Sequence, residues 1–206
     1  GFLLGGSSLS GISGIKTEIN IGVYDYWLVR IDSIGNIVWQ NTIGGTGSDA
    51  ITHIANANDG GFIVSGYSFS NISGDKTEKC FNGSTDYWIL KIDSLGAIQW
   101  QNTIGGNGSD TPLSAYCNAD GTCIVAGYSL SGATGDKTEA SLGNYDYWIL
   151  KLNATGSVIW QNAIGGNGAD ILNSVVPAID GGIIVGGYSG SGISGDKTEA
   201  LIGIYD

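Results

Sequence analysis

The chain has 206 residues, of which 36 are Gly and only 2 are Pro, and 42% are hydrophobic. This balance excludes a collagen-like or a disordered low-complexity chain, because enough apolar surface is present to build a core. Acidic residues outnumber Lys and Arg by 19 to 8, a net charge of −11, so the counterion release that drives nucleic-acid binding has no source. We therefore expect no nucleic-acid partner. No apolar run approaches the ~20 residues that cross a bilayer, so we also expect no membrane insertion.

A repeat runs along the whole chain. Trp27, Trp88 and Trp148 stand in DYWLVRID, DYWILKID and DYWILKLN, 61 and 60 residues apart. The pattern predicts one domain over 1–206, with repeat units 1–24 (partial), 25–85, 86–145 and 146–205. Each unit that contains DYW also has a WQN or equivalent segment. We interpret six tryptophans as packing residues between units: Trp27, Trp39, Trp88, Trp100, Trp148 and Trp160.

Each repeat contains four strand-like segments bounded by Gly, Asn or Asp. In the period from 114 to 165 these are segment a (114–117, equivalent to 51–55 and 172–178), segment b (123–129), segment c (146–152) and segment d (158–164). Segment c is apolar on both faces, as in an inner strand, whereas segment d alternates like an outer one. The pattern predicts an all-β fold, a β-propeller with four-stranded antiparallel blades, of which about 3.4 are present. A pair of sandwiches or a β-helix fits the strict period less well.

The unit DYWILKIDSLGAIQWQNTIGG, followed by GYS and GDKTE, resembles the repeat β-propellers of large secreted and cell-surface proteins of Bacteroidetes, many of which end in a type IX sorting domain. It is more distantly similar to quinoprotein blades and to sialidase Asp-boxes. The spacing from Asp93 to Trp100 departs from both patterns, so quinone binding is not carried over. The resemblance implies a secreted or cell-surface protein that is type IX secretion cargo. The period, the acidic balance, the pair Cys117 and Cys123 and the lack of a catalytic constellation lead us to expect a non-enzymatic segment that serves as an adhesion or protein-interaction scaffold. The alternative is a glycan-binding module or the propeller of a carbohydrate-active enzyme.

The expected number of blades indicates what kind of partner the chain needs. Propellers close with about 4 to 8 blades, so 3.4 blades would leave apolar end faces open. We expect the remaining blades of the same polypeptide to cover them, with a second copy and a partner protein as alternatives. Secretion-machinery or surface proteins and glycans are further candidate partners.

Carboxylates in the loops are candidate Ca²⁺ ligands, because hard oxygen donors suit this ion. The candidates are Asp49, Asp110, Asp170, Asp136 and Asp196. We favour a structural interpretation, in which GDKTE is a capping box that starts one helical turn. The first repeat supports this, because Ile15 stands where later repeats have Asp. The sequence thus predicts no cofactor, with Ca²⁺ as the alternative.

The sequence contains few residues that could catalyse a reaction. His53 and Arg30 are the single His and the single Arg, and no nucleophile lies at a suitable spacing from a base. We predict no catalytic residue. Tyr24 and Tyr145, in the loops between segments b and c, are the freer aromatic residues for stacking on sugars.

Cysteines and serines bear on the cell compartment. Cys117 and Cys123 flank the tight NADGT turn symmetrically, so they should face each other at a separation that a disulfide can span. A disulfide agrees with an extracellular or surface location, and Cys80 is left unpaired.

If the Bacteroidetes resemblance holds, Ser33 and Ser94 in Asp-Ser-aliphatic segments are candidate O-glycosylation sites. The alternative is that Asp-Ser-x-Gly is turn chemistry.

Overall fold

The computed structural model describes residues 1–203 and 205, and the fold of this part is all-β, as predicted. Its one short helical element is a 3-10 turn at Phe81–Gly83, and no helix among these residues has the length and apolar character to cross a membrane. The strands are β1 (Phe2–Ser8), β2 (Asp25–Ile31), β3 (Ile37–Ile43), β4 (Asp49–Asn56), β5 (Phe62–Ser68), β6 (Asp86–Ile92), β7 (Ile98–Ile104), β8 (Asp110–Cys117), β9 (Cys123–Ser129), β10 (Asp146–Leu152), β11 (Val158–Ile164), β12 (Asp170–Pro177) and β13 (Ile183–Ser189).

The strands form four antiparallel sheets in which spatial order follows chain order. The first sheet is β1-β2-β3, the second is β4-β5-β6-β7, the third is β8-β9-β10-β11 and the fourth is β12-β13. The two central sheets therefore each hold one complete set of segments a to d, while the described part of the first sheet lacks an a strand and that of the fourth lacks c and d strands.

Segments b, c and d of the period from 114 to 165 coincide with β9, β10 and β11, but segment a was predicted too short. Strand β8 begins at Asp110, four residues before the predicted start, and β4 and β12 likewise begin at an aspartate. The register shifts between Pro112 and Ser114, which is a β-bulge. A polar start and a bulge obscure the alternation on which the prediction depended.

Neighbouring sheets pack through their c strands, whose side chains fill the space between them. The Tyr87 ring lies 4.9 Å from the Trp148 ring of the next sheet, and its hydroxyl donates to the Trp148 carbonyl oxygen at 3.1 Å. Tyr26 and Trp88 repeat this contact at 4.8 Å and 3.1 Å. Trp88 and Trp148 are fully buried. First strands also meet, since β8 contacts both β4 and β12.

The WQN segments of the outer strands β3 and β7 each connect their own sheet to the next one. The Trp100 indole N–H donates to the Ala154 carbonyl at 3.0 Å, and the Asn102 side chain donates to the Gly156 carbonyl in the same turn. Gln101 makes a contact within its own sheet, because its side-chain amide oxygen accepts from the indole N–H of Trp88 at 3.1 Å. Trp39 and its neighbours make the corresponding contacts one sheet earlier.

Candidate functional site

The b–c loops and the d–a loops meet at one end of the sheets, where a recurring pattern of hydrogen bonds joins them. In the third sheet an Asp110 oxygen accepts from the Gly106 N–H at 2.9 Å and from the Ser131 hydroxyl at 2.9 Å. Asp49 and Asp170 bind the equivalent glycines and serines at 2.7 to 2.9 Å. These three calcium candidates are buried. In each, one carboxylate oxygen accepts the hydrogen bonds that hold the two loops together.

The GDKTE segment does not form the predicted capping box. The Asp136 carboxylate accepts from the Gly105 N–H at 3.3 Å, and the Glu139 carboxylate accepts from the Ala163 N–H at 2.9 Å. Asp196 bonds to Gly165 in the same way at 3.1 Å. These partners lie on neighbouring loops and strands rather than on the segment itself, so no helical turn starts here.

Metal-ligating side chains are not gathered at this end. In residues 1–203 and 205, no three His, Cys, Asp or Glu side chains come close enough to hold one ion. The five calcium candidates instead fall into two sets, three on the first residues of β4, β8 and β12 and two in the GDKTE loops.

Three buried lysines, which the sequence analysis missed, lie in the b–c loops: Lys16, Lys76 and Lys137. Lys137 is 2% exposed, and its ammonium donates to the Ser131 carbonyl at 3.0 Å and to the Ser141 hydroxyl at 2.8 Å. The ammonium also lies 5.8 Å from the centre of the Trp148 ring. Burial lowers the pKa of Lys137, while Asp110 and then Asp146 raise it. The recurrence of Lys in GDKTE was the available signal, but a lone Lys in a polar loop normally indicates exposure.

A second aspartate in each repeat, the first residue of the c strand, is also buried. Asp86 is 1% exposed. One of its oxygens accepts from the Phe81 N–H, and the other has no hydrogen-bond partner. Desolvation by burial raises its pKa to about 7, the Phe81 hydrogen bond opposes this, and the charge of Asp110 adds to it. Burial likewise raises the pKa of Asp25 and of Asp146.

Glycine is required beside these carboxylates. A Cβ on Gly105 would lie 2.2 Å from an Asp86 oxygen, and one on Gly44 would lie 2.0 Å from an Asp25 oxygen. The IGG segment is therefore shaped to receive the aspartate of its own sheet. The carboxylates are enclosed by the fold and are not presented to a substrate.

A cleft lined by tyrosines lies at the same end, between the third and fourth sheets. Its volume is about 340 Å³. Tyr128 and Tyr145 form one edge-to-face pair with ring centres 5.1 Å apart, and Tyr188 and Tyr205 form the other at 5.4 Å. The fold does not demand these rings, because Ser7 occupies the position of Tyr128 in the first repeat. Such a cleft offers aromatic surface and hydroxyl groups together, at the lower end of the usual size range for small-ligand sites.

The remaining predicted residues are dispersed. Cys117 and Cys123 form the disulfide, and they line a cavity of about 390 Å³ at the opposite end of the sheets, together with Trp100. Cys80 is buried and donates its thiol to the Ser68 carbonyl at 2.9 Å; burial raises its pKa. His53 is partly buried on β4, and burial lowers its pKa.

The two glycosylation candidates lie in exposed c–d turns. In the first turn, the Asp32 carboxylate accepts from the N–H groups of Ile34 and Asn36, both at 2.9 Å. Asp93 does the same in the next repeat. Turn chemistry thus accounts for the aspartates, while Ser33 and Ser94 remain accessible.

No family model matches the chain, whereas individual known proteins and solved structures are similar to it. The regulatory protein FlaEY of Caulobacter vibrioides is 25% identical over 150 residues, which cover 69% of this chain and 16% of that protein. A crystal structure of a protein of unknown function from Bacteroides caccae matches with a TM-score of 0.33 and 12% identity, covering 88% of this chain and 64% of that one. The chain spans less than two thirds of either protein, and neither similarity assigns a family or an activity.

Proposed function

We propose that the chain is a run of about 3.4 β-propeller blades, each four-stranded when complete, that acts as a non-enzymatic scaffold for adhesion or protein interaction at the cell surface. The observation that carries the proposal is the junction built from Tyr, Trp and Lys, which occurs with Tyr26, Trp88 and Lys76 and again with Tyr87, Trp148 and Lys137. A junction repeated with the same contacts relates each sheet to the last by a similar step, which is a requirement for blades.

The chemistry of the loops supports a scaffold rather than an enzyme. Asp110, Asp136 and Lys137 bind backbone groups and hydroxyls of their own chain, so these charged groups stabilise the loops. The Cys117–Cys123 disulfide supports an extracellular location, because such bonds persist in oxidising compartments. The resemblance to type IX cargo supplies the proposed export route.

Surface protease treatment of intact cells of the native host tests the location. The proposal predicts that the repeat region is cleaved or shed by added protease, with the disulfide oxidised, and that inactivating the type IX translocon removes it from the surface. A periplasmic protein, used as a control, should stay intact. Retention of the protein inside the cells, with reduced Cys117 and Cys123, would contradict the proposal.

The tyrosine cleft favours glycan binding as the second candidate function. A glycan array probed with the chain tests it, with Tyr145→Ala and Tyr188→Ala as the variants and Tyr24→Ala as the matched control. Tyr24 lies at the position of Tyr145 but in the first repeat, where Ser7 replaces the partner ring. Binding of neutral glycans that both cleft variants lose and the control keeps would establish the site. Absence of binding across the array would exclude it.

A further inference from the structure

The cavity of about 390 Å³ beside the disulfide lies between the second and third sheets. Two hydrogen bonds join the sheets next to it. The Asn58 side chain donates to the Asn118 carbonyl, and the Trp100 indole N–H donates to the Ala154 carbonyl at 3.0 Å. Both sheets contain all four strands, so both walls of the cavity are complete. Its volume lies in the lower part of the range of roughly 300 to 1,000 Å³ that small-ligand sites have.

The inner part of this cavity is apolar and its rim is polar. Ile63 and the half-cystine Cys123 are buried, and the Trp100 ring beside them is half-buried. The exposed polar residues at the rim are Asn58, Asp59 and Asp120. A ligand that fits this cavity therefore has an apolar part that points inward and a polar part that meets the rim.

The rim carries a net negative charge. Asp59 accepts from the Lys91 ammonium at 2.8 Å and from the Gly61 N–H at 3.0 Å, both through one oxygen. Asp120 accepts from the Thr122 N–H at 2.9 Å and its hydroxyl at 2.7 Å, again through one oxygen. The Lys91 hydrogen bond lowers the pKa of Asp59, and the Thr122 hydroxyl lowers the pKa of Asp120. Two carboxylates and one ammonium leave a charge of −1, which favours a cation, and each carboxylate has a second oxygen for it.

The first residue of each b strand indicates which group fits the inner part. These residues are Phe2, Phe62, Cys123 and Ile183. The third sheet alone thus has a small side chain at this position. One junction earlier, the Arg30 guanidinium lies 5.5 Å from the centre of the Phe62 ring. Lys91 holds the position of Arg30 in the next sheet, so the cation is kept while the ring beside it is missing.

We propose that this cavity binds an arylalkylammonium ion, a small organic cation whose ammonium group is joined to an aromatic ring by a short alkyl chain. The ring enters the inner part beside Lys91 and Trp100, where the Phe62 ring lies one junction earlier, and a cation beside an aromatic face is favourable. The ligand's ammonium donates to the second oxygen of Asp120. The site needs only the contact between the second and third sheets, so it does not depend on whether the sheets are propeller blades.

Isothermal titration calorimetry of the 206-residue chain with phenylethylammonium tests the proposal. We expect saturable binding of one ion per chain, weaker in high salt because salt screens the attraction between the ammonium and the carboxylates. Phenylacetate, which has a similar ring and the opposite charge, should bind at least tenfold more weakly. Asp120→Asn should weaken the binding of phenylethylammonium about tenfold, the loss expected of one charged hydrogen bond. The control Asp180→Asn changes the equivalent turn of the fourth sheet and should leave the dissociation constant unchanged.

An exchange of residues between sheets tests the position of the ring. Cys117→Asn together with Cys123→Phe introduces the two residues that the second sheet has at these positions, so the new ring should fill the cavity and weaken binding at least tenfold. Pro177→Asn with Ile183→Phe makes the same exchange in the fourth sheet, away from the cavity, and should preserve binding. Thermal unfolding of each variant shows whether it is folded.

Three results would overturn the proposal. The first is no binding of phenylethylammonium by the unaltered chain at millimolar concentration. The second is binding that Asp120→Asn leaves unchanged, a test that holds even where the double variants do not fold. The third is tighter binding of phenylacetate or of a neutral hexose than of phenylethylammonium, because the cavity would then select another class of ligand.

Discussion

Replacement of Asp86 by Asn should stabilise the protein at alkaline pH and have little effect in acid. In the unfolded chain this carboxyl loses its proton above pH 3.8, whereas in the fold its pKa is about 7. Because the folded pKa is raised, the group's contribution to stability is fully present below pH 3.8 and is lost as the pH rises through about 7. A rise of this size corresponds to roughly 4 kcal/mol, as an order of magnitude, at pH 8.

The surroundings of the Asp86 side chain can accept an asparagine. An Asn side chain keeps one oxygen to accept from the Phe81 N–H, and its amide group replaces the carboxylate oxygen that has no partner. The variant should therefore remove the cost of the buried charge without leaving the Phe81 N–H unsatisfied.

Urea unfolding of the wild type and of Asp86→Asn at pH 5 and pH 8 measures this effect. The difference in unfolding free energy between the two proteins should grow by a few kcal/mol from pH 5 to pH 8, and taking the difference cancels the general effect of the net charge. The control Asp180→Asn changes an exposed carboxylate in the turn after β12 and should show no such growth. If Asp86→Asn destabilises the protein equally at both pH values, the assignment of Asp86 as a buried, strained charge is wrong.

Three further substitutions probe the loops and the hairpin. Gly105→Ala should cost several kcal/mol in thermal unfolding, because its Cβ would lie 2.2 Å from Asp86, whereas Gly132→Ala, whose nearest neighbour would be 3.6 Å away, should be tolerated. Lys137→Met should cost about 3 kcal/mol in urea unfolding because Asp110 and Asp146 lose a buried cation; a cost no larger than that of the exposed Lys79→Met would refute this. Replacing both Cys117 and Cys123 by Ser should lower the unfolding free energy by about 2 kcal/mol, since the disulfide closes a short loop, and reduction of the wild type should reproduce the loss. An unchanged midpoint after reduction would contradict it.

The strands could be predicted where local chemistry defines them, and the contacts between repeats could not. Strands β9, β10 and β11 were found because Gly and Asp turns bound runs of apolar residues. The partners of GDKTE were missed because the Asp136 carboxylate bonds to Gly105 and the Glu139 carboxylate to Ala163, both more than 20 residues away in sequence. A capping box was the best local explanation for residues whose actual partners are distant.

The same holds for the candidate site: local features could be predicted from the sequence, whereas contacts between distant segments could not. The period of the sequence identifies Asp110 and Lys137 as recurring residues, yet only the packing of two loops buries them together. Conversely, the Cys117–Cys123 pair could be located from the sequence, since a tight turn places flanking residues opposite each other. The tyrosine cleft required the arrangement of two sheets, because Tyr145 and Tyr188 lie on different repeats.

A crystal structure of the 206-residue chain tests the central claim, that successive sheets are propeller blades, most directly. The account predicts that the sheets turn by similar angles about one axis, with β4, β8 and β12 nearest to it and Tyr87 stacked on Trp148. Sheets that stack by translation, without an axis on which their first strands converge, would contradict the propeller and the scaffold function that depends on it.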